Sequence, residues 1–240
     1  MTISSDKSDK KVWAWRIASP FSHSVEVNDQ LFLSGMPALD DAGEILDPND
    51  IAKQTRHVFE NMRVVLQRHG LDFKNLVRLN TYYVFDGNDE DATEYWESMT
   101  RVRLEYFADP GPAATAVRIK GMPYKGQLIQ IEGIAVKGLS FEKRERIMPS
   151  GSWDWSIPVP LSQGWKCLES IYVGGQISAD KQGNPVHVGD VVPQTRAIYD
   201  FIDEVVKDSG GSLNDVAHLK ICYKHNSVDA QGKPLLAKII

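Results

Sequence analysis

The sequence predicts an α+β protein: a mixed sheet carrying two helices on one face, in a unit that occurs twice in tandem. Three observations point there. The first half reads ββ-α-β-α-ββ, and with right-handed crossovers that order builds a mixed sheet with its helices on one side. The chain also matches itself at a shift of 140. From Trp13 to Tyr83, laid on Trp153 to Tyr223, 16 of 71 positions are identical without a gap, where average residue usage gives roughly four. Finally, 240 residues with 42% apolar side chains can fill two modest cores.

A polar tail, 1–12, precedes the first unit, 13–138. That unit opens with a strand pair, Ser24 to Val27 and Gln30 to Ser34, joined by the turn dipeptide Asn28-Asp29. A stretch punctuated by Gly43 and Pro48 follows. Ile51, Thr55, Val58, Phe59, Met62, Val65 and Leu66 then recur at three- and four-residue steps, the stripe of an amphipathic helix. Asp47 or Asn49 can cap it, and Gly70 can end it. Leu76 to Phe85 has strand composition. A second helix spans roughly Asp91 to Tyr106, with Tyr95, Trp96, Met99 and Val102 on its apolar side. Beyond Asp109-Pro110-Gly111-Pro112 lie strands from Ala114 to Ile119 and Gln127 to Val136.

A charged linker, 139–152, leads to the second unit, 153–240. Its strands are Trp165 to Leu168 and Ser170 to Val173, and its helix stripe is Val191, Thr195, Ile198, Tyr199, Ile202, Val205 and Val206. As a repeat this unit is C-terminally incomplete, since the shift puts the counterpart of Val136 at 276. The natural chain is expected to continue to about that position, or another chain to supply the missing strands, because a strand at 216–223 would otherwise keep a bare edge. The helix-free sheet face also needs cover, so an oligomer is expected.

Composition excludes several functions. The formal charge is −5, with no block of Lys or Arg, which argues against nucleic-acid binding. No apolar run suits a membrane span, and the polar start is not a secretory signal. Cys167 and Cys222 form neither a disulfide framework nor a zinc site, and a reducing cytoplasm fits them best. The six histidines show no metal-ligand spacing, and no Gly-x-Ser-x-Gly elbow occurs.

Pro20-Phe21-Ser22, Leu33-Ser34-Gly35, the Gln54-Thr55-Arg56 helix, the strand ending near Tyr83, Gly111-Pro112-Ala113 and Ile131-Glu132-Gly133-Ile134-Ala135-Val136 follow one another in a familiar order. In the second unit Pro160-Leu161-Ser162-Gln163-Gly164 and Val173-Gly174-Gly175-Gln176 repeat it. Together they resemble the Rid family, also called the YjgF/YER057c/UK114 family of reactive-imine deaminases. The resemblance implies chorismate-mutase-like (YjgF-like) domains and a homo-oligomer, trimer-like or a pseudo-hexameric ring, with pockets between neighbours. It also implies hydrolysis of small enamines or imines to a ketone and ammonia, with no cofactor and no metal. In that chemistry an arginine holds the substrate carboxylate, and a glutamate orients the attacking water.

This chain departs from the pattern. Ala114 and then Thr115 follow Pro112-Ala113, where the family's arginine is expected. Gln130 stands at the family's water-positioning glutamate, with Glu132 retained two residues on. Phe21 and Leu161 replace an aromatic hydroxyl, and Met36 replaces a glutamine that the second unit keeps as Gln176. Gln130 and Glu132 share one strand face and can wall a polar pocket. Ser34 and Gly35 can bring backbone amides against a ligand. The candidate site is therefore Glu132 and Gln130 for catalysis, with Phe21, Ser34, Gly35, Trp96, Ala114, Thr115 and Gln176 for binding a small molecule. The function expected is a cofactor-free Rid-type hydrolase or deaminase of a catabolic enamine, imine or amino-substituted unsaturated compound other than 2-aminoacrylate. The alternative is a non-catalytic ligand-binding or assembly member.

Overall fold

A computed structural model describes residues 3–5, 13–14 and 21–224. In chain order the strands are β1 (Ile3–Ser5), β2 (Ser24–Val27), β3 (Gln30–Pro37), β4 (Leu76–Val84), β5 (Ala113–Ile119), β6 (Ile129–Val136), β7 (Arg144–Ile147), β8 (Gly164–Cys167) and β9 (Ser170–Val173). The α-helices are α1 (Ile51–Arg68), α2 (Ala92–Arg101), α3 (Gly138–Glu142) and α4 (Val191–Asp208). The expected α+β architecture is present: a six-stranded mixed sheet in the order β1-β2-β3-β6-β4-β5, and a three-stranded sheet β7-β8-β9. Only the β4–β5 pair of the larger sheet is parallel, and α2 lies in its crossover.

α1 forms where the stripe predicts it. Ile51, Val58, Phe59, Met62, Val65 and Leu66 are buried against Leu31, Leu33, Leu79 and Ile131 of the sheet. Its cap is Asp50, whose carboxylate accepts the Lys53 amide, not Asp47 or Asn49. Asp47 takes a left-handed conformation in the turn before it, which leaves Asp50 as the last extended residue. α2 is shorter than predicted, and a 3₁₀ turn, Val102–Glu105, completes it.

The second half repeats many local contacts of the first at the same shift. The Trp13 indole donates to Met36 Sδ at 3.4 Å, and the Trp153 indole to Gln176 Oε1 at 3.0 Å. Thr55 and Thr195 each bond back to the carbonyl four residues earlier, at 2.7 Å. α4 is capped by Asp190 as α1 is by Asp50.

Three expectations need correction. Part of the tail is a strand, since β1 pairs with β2. The stretch expected as a linker holds α3 and β7, and β7 pairs antiparallel with β8; the apolar Phe141 and Ile147 among its charges give it inward-facing side chains. Residues 216–224 make no strand ladder among the described residues, and Val216, Leu219, Ile221 and Tyr223 are exposed. Their first-half counterpart, β4, is held between β5 and β6.

The helix-free face of the large sheet is partly covered from within the chain. Trp165 and Cys167 of β8, with Tyr172 of β9, pack on Val77, Ala113, Ile134 and Val136. The open-face argument for an oligomer thus loses this part of its surface. The two halves approach through glycines: a Cβ at Gly175 would press into Thr115 at 2.7 Å, and the Gly175 amide donates to the Ala114 carbonyl at 3.0 Å.

Candidate functional site

Ladder-paired residues of neighbouring strands point to the same sheet face, so register alone lays out the helix-free face. Across β5, β4 and β6 it reads Ala113, Arg78, Ile134; then Thr115, Asn80, Glu132; then Val117, Tyr82, Gln130. Glu132 and Gln130 therefore do share a face, and Thr115 lies on it two strands away. Asn80 Nδ2 donates to Glu132 Oε1 at 2.9 Å, and the Tyr82 hydroxyl donates to the same oxygen at 3.1 Å. Lys220, from the second half, bonds the Tyr82 hydroxyl and sits 4.5 Å from its ring centroid. The Asn80 and Tyr82 bonds leave the other oxygen of Glu132 available to a water, the arrangement a general base requires.

Arg78 closes the cluster on its other side. Its Nη1 donates to the Val173 carbonyl of β9. Burial pulls its pKa below the usual guanidinium value, and the Glu132 carboxylate opposes that shift.

The remaining predicted residues are scattered. Ala114 pairs with Leu79 and faces the helix layer, in the first core. Thr115 Oγ1 is buried with no hydrogen-bond partner. Gln130 lies against Gly35, where a Cβ would overlap its amide, so that glycine makes room for a side chain. The Ser34 hydroxyl is bonded to the His23 carbonyl. Trp96 packs partly buried against the helix-side core, and Phe21 is 73% exposed. Gln176 is engaged by the Trp153 indole and by Gln163 Oε1 at 2.9 Å, a cross-link within the second half. Leu161 is buried in the first half's core, in the same cluster as Ala114.

Sequence reasoning missed Arg78, Asn80 and Tyr82. The signal was available: Arg78, Asn80 and Tyr82 stand at alternate positions of one strand and so share one face. Among the described residues, no group of three or more His, Cys, Asp or Glu side chains could hold a metal ion.

A model of the family described as Endoribonuclease L-PSP matches residues 14–137. A RutC family protein of Pyrococcus horikoshii is 35% identical over 119 residues, 49% of this chain and 87% of that protein. A protein of Bos taurus named 2-iminobutanoate/2-iminopropanoate deaminase is 31% identical over 119 residues, 50% of this chain and 81% of that protein. Among solved structures, the Rid-family protein YyfA of Yersinia pestis is 27% identical with a TM-score of 0.47, covering 57% of this chain and all of that one.

Proposed function

The chain belongs to the Rid family, and from that premise we propose that it is a cofactor-free deaminase hydrolysing a small enamine or imine, with its chemistry at Glu132. The observation that carries the reading is the carboxylate held on one oxygen by Asn80 and Tyr82 on the sheet face. Water bound to the free oxygen adds to the C=N carbon, and its proton passes through the carboxylate to nitrogen. The carbinolamine then collapses to a ketone and ammonia. Relatives named as 2-iminobutanoate/2-iminopropanoate deaminases perform a reaction of this class.

Two copies of a Rid unit account for the contacts that recur at a shift of 140. At the junction, Leu161 and Gln176 are committed to packing and to bonds within the chain. The deciding measurement is ammonia release from enzymatically generated imines. Parent protein should accelerate it, and Glu132→Gln should lose about 100-fold, the range of a general base. A parent without acceleration on any imine removes the enzymatic reading.

A further inference from the structure

Arg103 sits in the helix-side core, only 2% exposed. Its guanidinium donates through Nη2 to the Thr81 hydroxyl at 2.8 Å, while its Nε is buried with no hydrogen-bond partner. Burial alone draws its pKa down to about 10, with no carboxylate of a described residue holding it up. A charge taken out of water without a counter-charge is costly.

A second, independent observation lies one helical turn away. The Thr100 hydroxyl is also buried and without a partner. Arg101 and Val102 keep helical backbone angles, so positions 100 and 103 lie on one side of the helix where α2 passes into its 3₁₀ turn. Thr81 of β4 faces the same layer, since it pairs with Ile131 of the helix-side core. Having accepted from Arg103, its hydroxyl still has a proton to give. The unsatisfied groups are thus N–H and O–H donors around one cation. A water there would leave the charge uncompensated, whereas an anion takes up the donors and the charge together.

We infer that Arg103, Thr100 and Thr81 form a buried binding site for a small monovalent inorganic anion of the halide class, such as chloride. Burial sets the size, because a partner protein's carboxylate cannot reach a side chain so enclosed. Met99, Val102 and Phe107, from the same stretch of helix and turn, belong to the apolar core. An apolar setting selects a single, weakly hydrated charge over sulfate or phosphate, whose desolvation costs more. The site lies on the opposite sheet face from Glu132, which pairs with Asn80, so it does not depend on the deaminase reading. Its effect is to hold α2 and its 3₁₀ turn on β4.

The test is thermal melting as sodium chloride replaces sodium gluconate, a bulky monovalent anion, at constant ionic strength. Above its Kd, chloride should raise the parent's melting temperature by about 3–5 °C per tenfold in concentration. Arg103→Met should remove that dependence and, with the uncompensated charge gone, melt in gluconate at least as high as the parent. Thr100→Val should reduce the slope. Chloride NMR reads binding independently, as line broadening by the parent that bromide reverses and that Arg103→Met lacks. If Arg103→Met does not fold, Thr100→Val and the NMR titration of the parent decide. Equal melting of the parent in the two salts, an undiminished chloride dependence in Arg103→Met, or no broadening that bromide reverses would overturn the inference and leave water as the occupant.

Discussion

Ala114 shows how one residue's orientation changes an experiment. It is 8% exposed and packed in the helix-side core. On that same face Thr81 accepts the guanidinium of Arg103 at 2.8 Å. Arg103 is itself almost wholly buried, and burial draws its pKa down to about 10. Restoring an arginine at 114 would therefore add a second unpaired cation to one core. Ala114→Arg should lower unfolding stability by about 3–5 kcal/mol, as an uncompensated buried charge does, in urea melts of parent and variant. Adding Gln130→Glu should not rescue it, because Gln130 lies on the opposite face. A full-stability Ala114→Arg protein would show that the side chain finds water or an anion.

At the scale of elements, Glu26 ties β2 to two neighbours. Its carboxylate takes Lys137 Nζ, just past β6, at 2.5 Å and His69 Nδ1, at the C-terminal cap of α1, at 3.2 Å. The Lys137 bond first, then His69, hold its pKa below the ordinary 4.5. A carboxyl with a depressed folded pKa adds stability above its unfolded value and loses it as pH falls through the folded one. Melting temperature should therefore drop faster below pH 4.5 in the parent than in Glu26→Gln. For a partly exposed pair the difference should be about 0.2–1 kcal/mol at neutral pH. Parallel acid limbs for the two proteins would mean that the tie contributes nothing.

For the whole molecule, the two halves meet over Trp165, whose indole also donates to the Gly111 carbonyl at 3.0 Å. Beside it the Ser162 hydroxyl donates to the same carbonyl at 2.7 Å, and Gly174 and Gly175 let the backbones close. Trp165→Ala should cost about 3–5 kcal/mol, the usual cost of removing a buried aromatic. It should also disturb the sheet face that carries Glu132, so ammonia release from imines should fall along with stability. Loss of stability with unchanged turnover by the folded protein would show that the site does not depend on the second half.

Periodicity and punctuation determined the local elements: the α1 and α4 stripes, the turn at Asn28-Asp29 and the alternation that puts Gln130 beside Glu132. Those depend on neighbours a few residues apart, so a single strand or helix reveals them. The order of short motifs likewise determined the family, because each survives in the chain as written. Register across strands is a different matter. That Asn80 falls opposite Glu132 and Thr115, while Ala114 turns inward, depends on pairing between segments some 35 to 50 residues apart. A one-residue slip would reverse every side chain. Only the tertiary structure decided that the second half covers the first half's open face and braces Arg78, because that contact is set by shape and buried area between distant segments and by no local pattern.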